Sequence, residues 1–245
     1  MSTIYEEEFE CVVCGNKFTQ TLQGSCSIEG QNLDFMPWGA AIVPWPLPKC
    51  PNCGLVGEQF SKDEENLLKK YIKNNKIDIK KPNYYLLAKQ YEFLKKDKIK
   101  IANNYVKATW ESYRLYHDCV VSLMKKTIDL IDEMEINKEF RFQLVKLDFL
   151  RRLGKFQEAM LMINKIKSCD FYNELSYEMP VDHFLRTVKK NHFLYDGLEE
   201  IYRGRLSYRK TIDEILKIQE KLIIKKDTDR HELPDYLRES LNDPY

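Results

Sequence analysis

The sequence predicts a mainly α chain with a small, cysteine-stapled β module at its N-terminus, on three observations. Two Cys-x-x-Cys-Gly pairs, Cys11 with Cys14 and Cys50 with Cys53, lie within the first sixty residues. Glycine and proline are sparse, nine of each in 245 residues, and Pro37, Pro44, Pro46 and Pro48 crowd into one loop between the pairs. The remainder is rich in Lys, Glu, Leu and Ile, with apolar residues three and four apart, which is the composition and the period of helices.

The cysteine pairs come first in the chain. Two residues between cysteines let one tight turn aim both sulfurs at a single ion, and the glycine that follows tolerates a positive φ. A single pair would also suit redox chemistry, but that reading wants a βαβ unit beside it, and none is legible. Two pairs of the same form read as a four-cysteine tetrahedral zinc site, a zinc ribbon, with ligands Cys11, Cys14, Cys50 and Cys53. Four thiolates fill the coordination shell, so the ion is expected to be structural, with no position left for water or substrate. The first knuckle and its strand are expected over Phe9–Thr19, the second over Lys49–Phe60. Cys26, in the loop between them, has no partner at knuckle spacing and reads as a partly buried thiol. The same loop carries Trp38 and Trp45, which with Ile42 and Val43 are expected to cover the knuckles or dock the ribbon on the helices.

Charge narrows the functional classes. Residues 1–60 hold two bases, Lys17 and Lys49, against seven acids, a balance of −5. The whole chain is +1, so the rest carries +6. Phosphate binding depends on cationic contacts, and the ribbon has almost none. Met1–Glu10 contains four glutamates and no base, the opposite of a secretory leader. No apolar run approaches the ~20 residues that span a bilayer, so no membrane partner is expected. Seven cysteines, four of them in metal spacing, suit a reducing cytoplasm better than a disulfide scaffold.

Helices follow. Ser61 with Glu64 forms a capping box that opens a helix bearing Leu67, Leu68, Tyr71 and Ile72 and ending near Asn74 and Asn75. After Pro82 a second helix turns Tyr84, Leu87, Ala88, Tyr91 and Leu94 inward. Asp97 caps a third, with Ile101, Ala102, Tyr105, Ala108, Trp110 and Tyr113. A break near His117 and a cap at Asp118 precede a fourth, with Val121, Met124, Ile128 and Ile131. Leu150-Arg-Arg-Leu-Gly154-Lys-Phe156-Gln-Glu-Ala159, continuing to Ile163 and Ile166, has tetratricopeptide grammar: a small residue at the turn, an aromatic two on, an alanine five on. Its unit is stretched to about 40 residues instead of 34, and no second copy matches as well. Pro180 suits a further helix start, before Phe184, Leu185 and Val188. A last amphipathic helix from Ser207 to Lys225 presents Ile212, Ile215, Leu216, Leu222 and Ile223 as a cap on the stack. The expected domains are thus a zinc ribbon over residues 1–60, a tetratricopeptide-like all-α domain of helical hairpins over 61–225 and a polar tail over 226–245.

Cys-x-x-Cys-Gly near the start, Pro-Leu-Pro-Lys-Cys-Pro-Asn-Cys-Gly at 46–54 and Leu-Arg-Arg-Leu-Gly-Lys-Phe-Gln-Glu-Ala at 150–159 occur in that order. In this the chain resembles a family of bacterial cytoplasmic proteins of unknown function that joins an N-terminal zinc ribbon to tetratricopeptide-like helices. The resemblance covers residues 9–168. It implies zinc ligands at Cys11, Cys14, Cys50 and Cys53 and carries over no catalytic residue.

No enzyme motif stands out. There is no Gly-rich phosphate loop, Gly-x-Ser-x-Gly elbow or His-Glu-x-x-His. His117, His183, His192 and His231 are scattered, and Cys119 and Cys169 sit in apolar helical contexts as core thiols. The expected function is that of a non-enzymatic cytoplasmic adaptor or scaffold that binds another protein. Its lysine runs (Lys69, Lys70, Lys73, Lys76; Lys95, Lys96, Lys98, Lys100) favour an acidic segment of that partner. The competing class is a nucleic-acid-binding regulator that uses the same basic helical surface.

Overall fold

A computed structural model of the chain describes residues 3–25, 28–31, 34–39, 45–57, 60–115, 119–134 and 140–168, with residues 213, 216, 217, 219–221, 223 and 224 towards the C-terminus. The fold is mainly helical, with a small antiparallel sheet at the N-terminus, as the sequence predicts. It divides into two compact units, the described residues of Met1–Ser27 with Gly39–Leu130, and those of Ile28–Trp38 with Ile131–Tyr245. The expected features at Cys26, His117, Asp118, Cys169, Pro180–Val188 and 226–245 lie outside the described residues.

In the first unit β1 (Thr3–Glu10) and β2 (Lys17–Ser25) form a two-stranded antiparallel sheet, with Glu10 opposite Lys17 where the chain turns through the first cysteine pair. The cross-strand pair Phe9 and Phe18 stacks at 5.6 Å between ring centroids, the kind of contact that fixes register in a short hairpin. Helix α1 (Lys62–Asn74) starts with both halves of the Ser61–Glu64 capping box in place and ends at Asn75, whose N–H bonds the Tyr71 carbonyl. Leu68 is wholly buried, with Tyr71 and Ile72 half-buried beside it, but Leu67 is 42 % exposed. The helix therefore leans on the core by a narrower stripe than its sequence suggests.

Helix α2 (Asn83–Phe93) follows Pro82, whose side chain offers its first turn no hydrogen bond. The cap comes from elsewhere. The buried carboxylate of Glu111 accepts from the N–H of Asn83 (2.9 Å) and of Tyr84 (3.0 Å). Burial raises the Glu111 pKa, against the two N–H groups that favour its charge. Since those donors would otherwise be buried without partners, Glu111→Ala is expected to cost about 1–3 kcal/mol; urea unfolding checks this. Tyr84, Leu87 and Ala88 are buried as expected, and so are Leu86 and Gln90. A helix buried on more than one side shows no clean period. Its end is closed by Lys95 at φ 53, with Lys96 N–H on Tyr91 O and Lys95 N–H on Glu92 O, a Schellman turn built without glycine.

Helix α3 (Lys98–Leu115) opens at Asp97, whose Oδ1 accepts from Ile99 N–H at 2.8 Å. Helix α4 (Val120–Asp132) is the next helical element; the break expected near His117 falls outside the described residues. Every apolar residue expected inward on these two helices is buried.

In the second unit, β3 (Ile28–Gln31) and β4 (Pro37–Gly39) form a separate two-stranded sheet. Helices α5 (Phe140–Arg152) and α6 (Phe156–Ser168) make a hairpin. Gly154 turns it at φ 72, with Lys155 N–H on Leu150 O and Gly154 N–H on Arg151 O. Ala159, Ile163 and Ile166 are buried, and Phe156 is half-buried. The described residues within 213–224 are helical, with Leu216, Gln219 and Ile223 buried. No helix among the described residues is long and apolar enough to cross a membrane.

Candidate metal centre

Both cysteine pairs adopt the same local fold, which follows from their shared spacing. Cys11 N–H bonds Asn16 O (2.9 Å) and Gly15 N–H returns to Cys11 O (2.8 Å); Cys50 N–H bonds Leu55 O (2.8 Å) and Gly54 N–H returns to Cys50 O (3.0 Å). Gly15 and Gly54 take φ 69 and 74, where a side chain would be strained. At Gly54 there is a second reason for glycine. A Cβ would sit 2.6 Å from Cγ2 of Ile77. The second knuckle is pressed against the α1–α2 loop.

The two turns bring four sulfurs together. Cys11 Sγ lies 3.6 Å from Cys53 Sγ, and Cys14 Sγ 3.6 Å from Cys50 Sγ. All four lie within 4.8 Å of one another. Zinc–sulfur bonds of about 2.3 Å in a tetrahedron place sulfurs roughly 3.8 Å apart, so the donor set and its spacing fit one tetrahedral ion. The sequence-predicted residues Cys11, Cys14, Cys50 and Cys53 are all brought into this centre. Cys119 is not part of it; its thiol lies 3.2 Å from Ser112 Oγ.

Electrostatics divides the four. Burial raises the Cys11 and Cys53 thiols above their ordinary value. At exposed Cys14 burial is the largest single influence and raises the thiol, but the Asn16 N–H, the Asn52 amide (3.6 Å) and the neighbouring thiols together outweigh it and bring it down to about 7. Cys14 thus becomes a thiolate, the form that binds metal, more readily than Cys11 or Cys53.

Beneath the sulfurs lies the core of the unit. Cys11, Cys50, Leu55 and Leu68 form a buried cluster, flanked by Val13, Phe18, Phe60, Tyr71, Ile72 and Leu94. Apolar cover therefore comes largely from α1 and the end of α2. Trp45 is 39 % exposed, and its carbonyl accepts from the Tyr84 hydroxyl at 3.0 Å, a tie between the proline-rich loop and α2. The Trp38 side chain, Ile42 and Val43 lie outside the described residues.

Two glutamines missed by sequence reading steady the second knuckle. Gln20 of β2 donates to Leu47 O (2.6 Å) and accepts from Lys49 N–H (2.9 Å), just before Cys50. Gln90 of α2, 2 % exposed, places its amide against Val56; in the amide orientation that satisfies both backbone groups it donates to the carbonyl (2.9 Å) and accepts from the N–H (3.1 Å). Each side chain stands in for a rung of sheet where the described residues form the isolated bridge Lys49–Val56. Only the tertiary fold reveals them, since glutamine is unremarkable on a strand or a helix. Partners that orient metal ligands typically carry 10–100-fold in affinity. Gln90→Ala is therefore expected to weaken metal binding by roughly tenfold or more, read by competition with a chromogenic chelator.

Comparison of the chain with family models, with curated proteins and with solved structures gives no match, so the family resemblance stands on the motifs themselves.

Proposed function

We infer that this protein is a cytoplasmic, non-enzymatic adaptor: a structural-zinc ribbon fused to tetratricopeptide-like helical hairpins that bind another protein. The observation that carries the reading is the closed four-thiol centre, whose two buried cysteines are part of the apolar core. An ion with four protein ligands has no open position for water or substrate, and one packed against Leu55 and Leu68 acts on the fold. The α5–α6 hairpin, with Gly154 at its turn and Ala159 buried, supports the tetratricopeptide-like reading. Stacked hairpins of that kind generally present surfaces for peptides or helices. Lys69, Lys70, Lys73, Lys76, Lys95 and Lys100 are exposed, which favours an acidic segment in the partner.

The test is an affinity capture from native cytoplasm at moderate salt, with and without a zinc chelator, read by mass spectrometry. The expected result is one discrete protein partner, lost when exposed lysines of α1 are reversed to glutamate. Capture of RNA or DNA alone, with affinity falling steeply as salt rises, would replace this reading with that of a nucleic-acid-binding regulator.

A further inference from the structure

Strand β1 is paired on one side only. Its sheet has two strands, and among the described residues nothing pairs with its outer edge. From Ile4 to Glu10 the register with β2 is unbroken, and every residue of that stretch except Phe9 is exposed. In an antiparallel pair, alternate residues turn their N–H and C=O groups away from the partner strand. A row of unused donors and acceptors therefore runs along the outer edge.

The side chains beside that edge are acidic. Ile4, Glu6, Glu8 and Glu10 share one face, opposite Gln23, Thr21, Thr19 and Lys17, and Glu7 lies on the other face. Glu10 has Lys17 Nζ at 3.8 Å, with both side chains largely exposed, a pair of little worth in water. Glu6, Glu7 and Glu8 have no ion pair among the described residues. Where the strand runs into the first knuckle, a cavity of about 60 Å³ opens, lined by Phe9, Glu10, Val12, Phe18, Pro48 and Leu55 and by the metal-site cysteines Cys11 and Cys50. By the same measure one water needs roughly 10–15 Å³, so the cavity has room for the end of a branched aliphatic side chain.

We propose that the outer edge of β1 takes up an extended, basic segment of another protein by strand addition. Basic side chains on alternate residues lie over Glu6, Glu8 and Glu10, and an apolar residue at the end of the segment fills the cavity beside the knuckle. The two-residue repeat of an added strand, about 7 Å, is also the repeat of the three carboxylates on their common face. Strand addition of this kind takes affinity from the backbone and specificity from alternate side chains. A second copy of β1 is a poor occupant, because it would set glutamates against glutamates. The site is separate from the lysine-bearing helices, and its occupant has the opposite charge. Failure of one reading therefore leaves the other standing.

The test uses the full-length, zinc-loaded protein and a fluorescein-labelled octapeptide of alternating lysine and threonine ending in leucine. Fluorescence anisotropy is expected to show saturable binding, with the amide resonances of Thr3–Glu10 shifting. Affinity should fall tenfold or more for a Glu6→Lys, Glu8→Lys double variant, whose changes are confined to exposed side chains. N-methylation of alternate peptide bonds should cost at least as much, and replacing the terminal leucine by glycine several-fold. Equal binding of the N-methylated peptide, or of one with glutamate for lysine, would overturn the proposal, as would no binding at all.

Discussion

Stripping the ion from the four-cysteine centre, or replacing Cys50 by serine, is expected to abolish the folded ribbon and to loosen α1 and α2 with it. Structural zinc in small modules supplies roughly 10–16 kcal/mol of apparent binding energy, against a total stability of about 5–15 kcal/mol for a typical domain. Nothing else among the ribbon's described residues approaches that. The β1–β2 hairpin is exposed over most of its surface, and an isolated two-stranded hairpin is marginal in water. The effect should spread because Cys11 and Cys50 share a buried cluster with Leu55 of the ribbon and Leu68 of α1. Gln90 of α2 reaches the same knuckle. Burial raises Cys11 and Cys53, so the metal-free centre holds those protons and loading releases them. Binding therefore weakens as pH falls. Elemental analysis should give one zinc per chain in the native protein, unchanged by Cys26→Ser. Hydrogen exchange should show the amides of Cys50, Gly54, Val56 and Leu68 losing protection on chelation. Protection that survived complete loss of the metal would mean that the ion does not hold the fold.

What the sequence made legible, and what it did not, divides by how local the cause is. The knuckles are set by residues a few positions apart, and so are the Ser61–Glu64 box, the Asp97 cap and the Gly154 turn; each was readable as a motif. The apolar residues that α3 and α4 bury were readable from their helical spacing, although α3 is buried on every side from Ala108 to Tyr113, polar residues included. Leu67 was misplaced because α1 buries so narrow a strip that neighbours at similar angles diverge in exposure. Glu111 capping a helix that begins 28 residues earlier leaves no local trace, nor do Gln20 and Gln90 serving as rungs. A turn at Lys95 that glycine would ordinarily occupy was hidden by its residue type. Asp34 is the clearest case. In the sequence it is one acid among seven in the first sixty residues; in the fold it is wholly buried beside helix residues more than a hundred positions away.

That burial leads to a second large effect, within the unit that holds α5 and α6. Asp148→Asn is expected to destabilise it by about 3–5 kcal/mol, the usual result of breaking a buried ion pair from one side, whereas Asp34→Asn should cost far less at neutral pH. Both aspartates are completely buried, and their surroundings differ. Asp148 Oδ1 accepts from Arg151 Nη2 and from Gln219 Nε2, each at 3.0 Å, and its Oδ2 lies 2.6 Å from Arg152 Nε. Burial opposes its charge, but Arg152, Arg151 and Gln219 prevail and hold it below the usual carboxylate range. Asp34 is less well compensated: it accepts from the Met36 N–H at 3.1 Å and has Arg152 Nη2 at 3.9 Å, with the charge of Asp148 nearby. Burial dominates there and lifts it to about 6.

The two therefore act oppositely with pH. Between an unfolded value of about 4 and a folded value of about 6, the native state binds the extra proton at Asp34, so stability falls as pH rises through that window, by roughly 3 kcal/mol. The contribution of Asp148 is present above about pH 4 and is lost below it. Together they should make this unit most stable near pH 4–5, as far as these groups decide it. The amide introduced by Asp34→Asn keeps the bond to Met36 while removing the titration. Protection of α5 amides in the Asp34→Asn protein should then stay level from about pH 4.5 to 6.5, where in the parent it declines. A parent slope that survived the substitution would place its cause in another group, and equal destabilisation by the two substitutions would mean that Arg152 relies on both carboxylates alike.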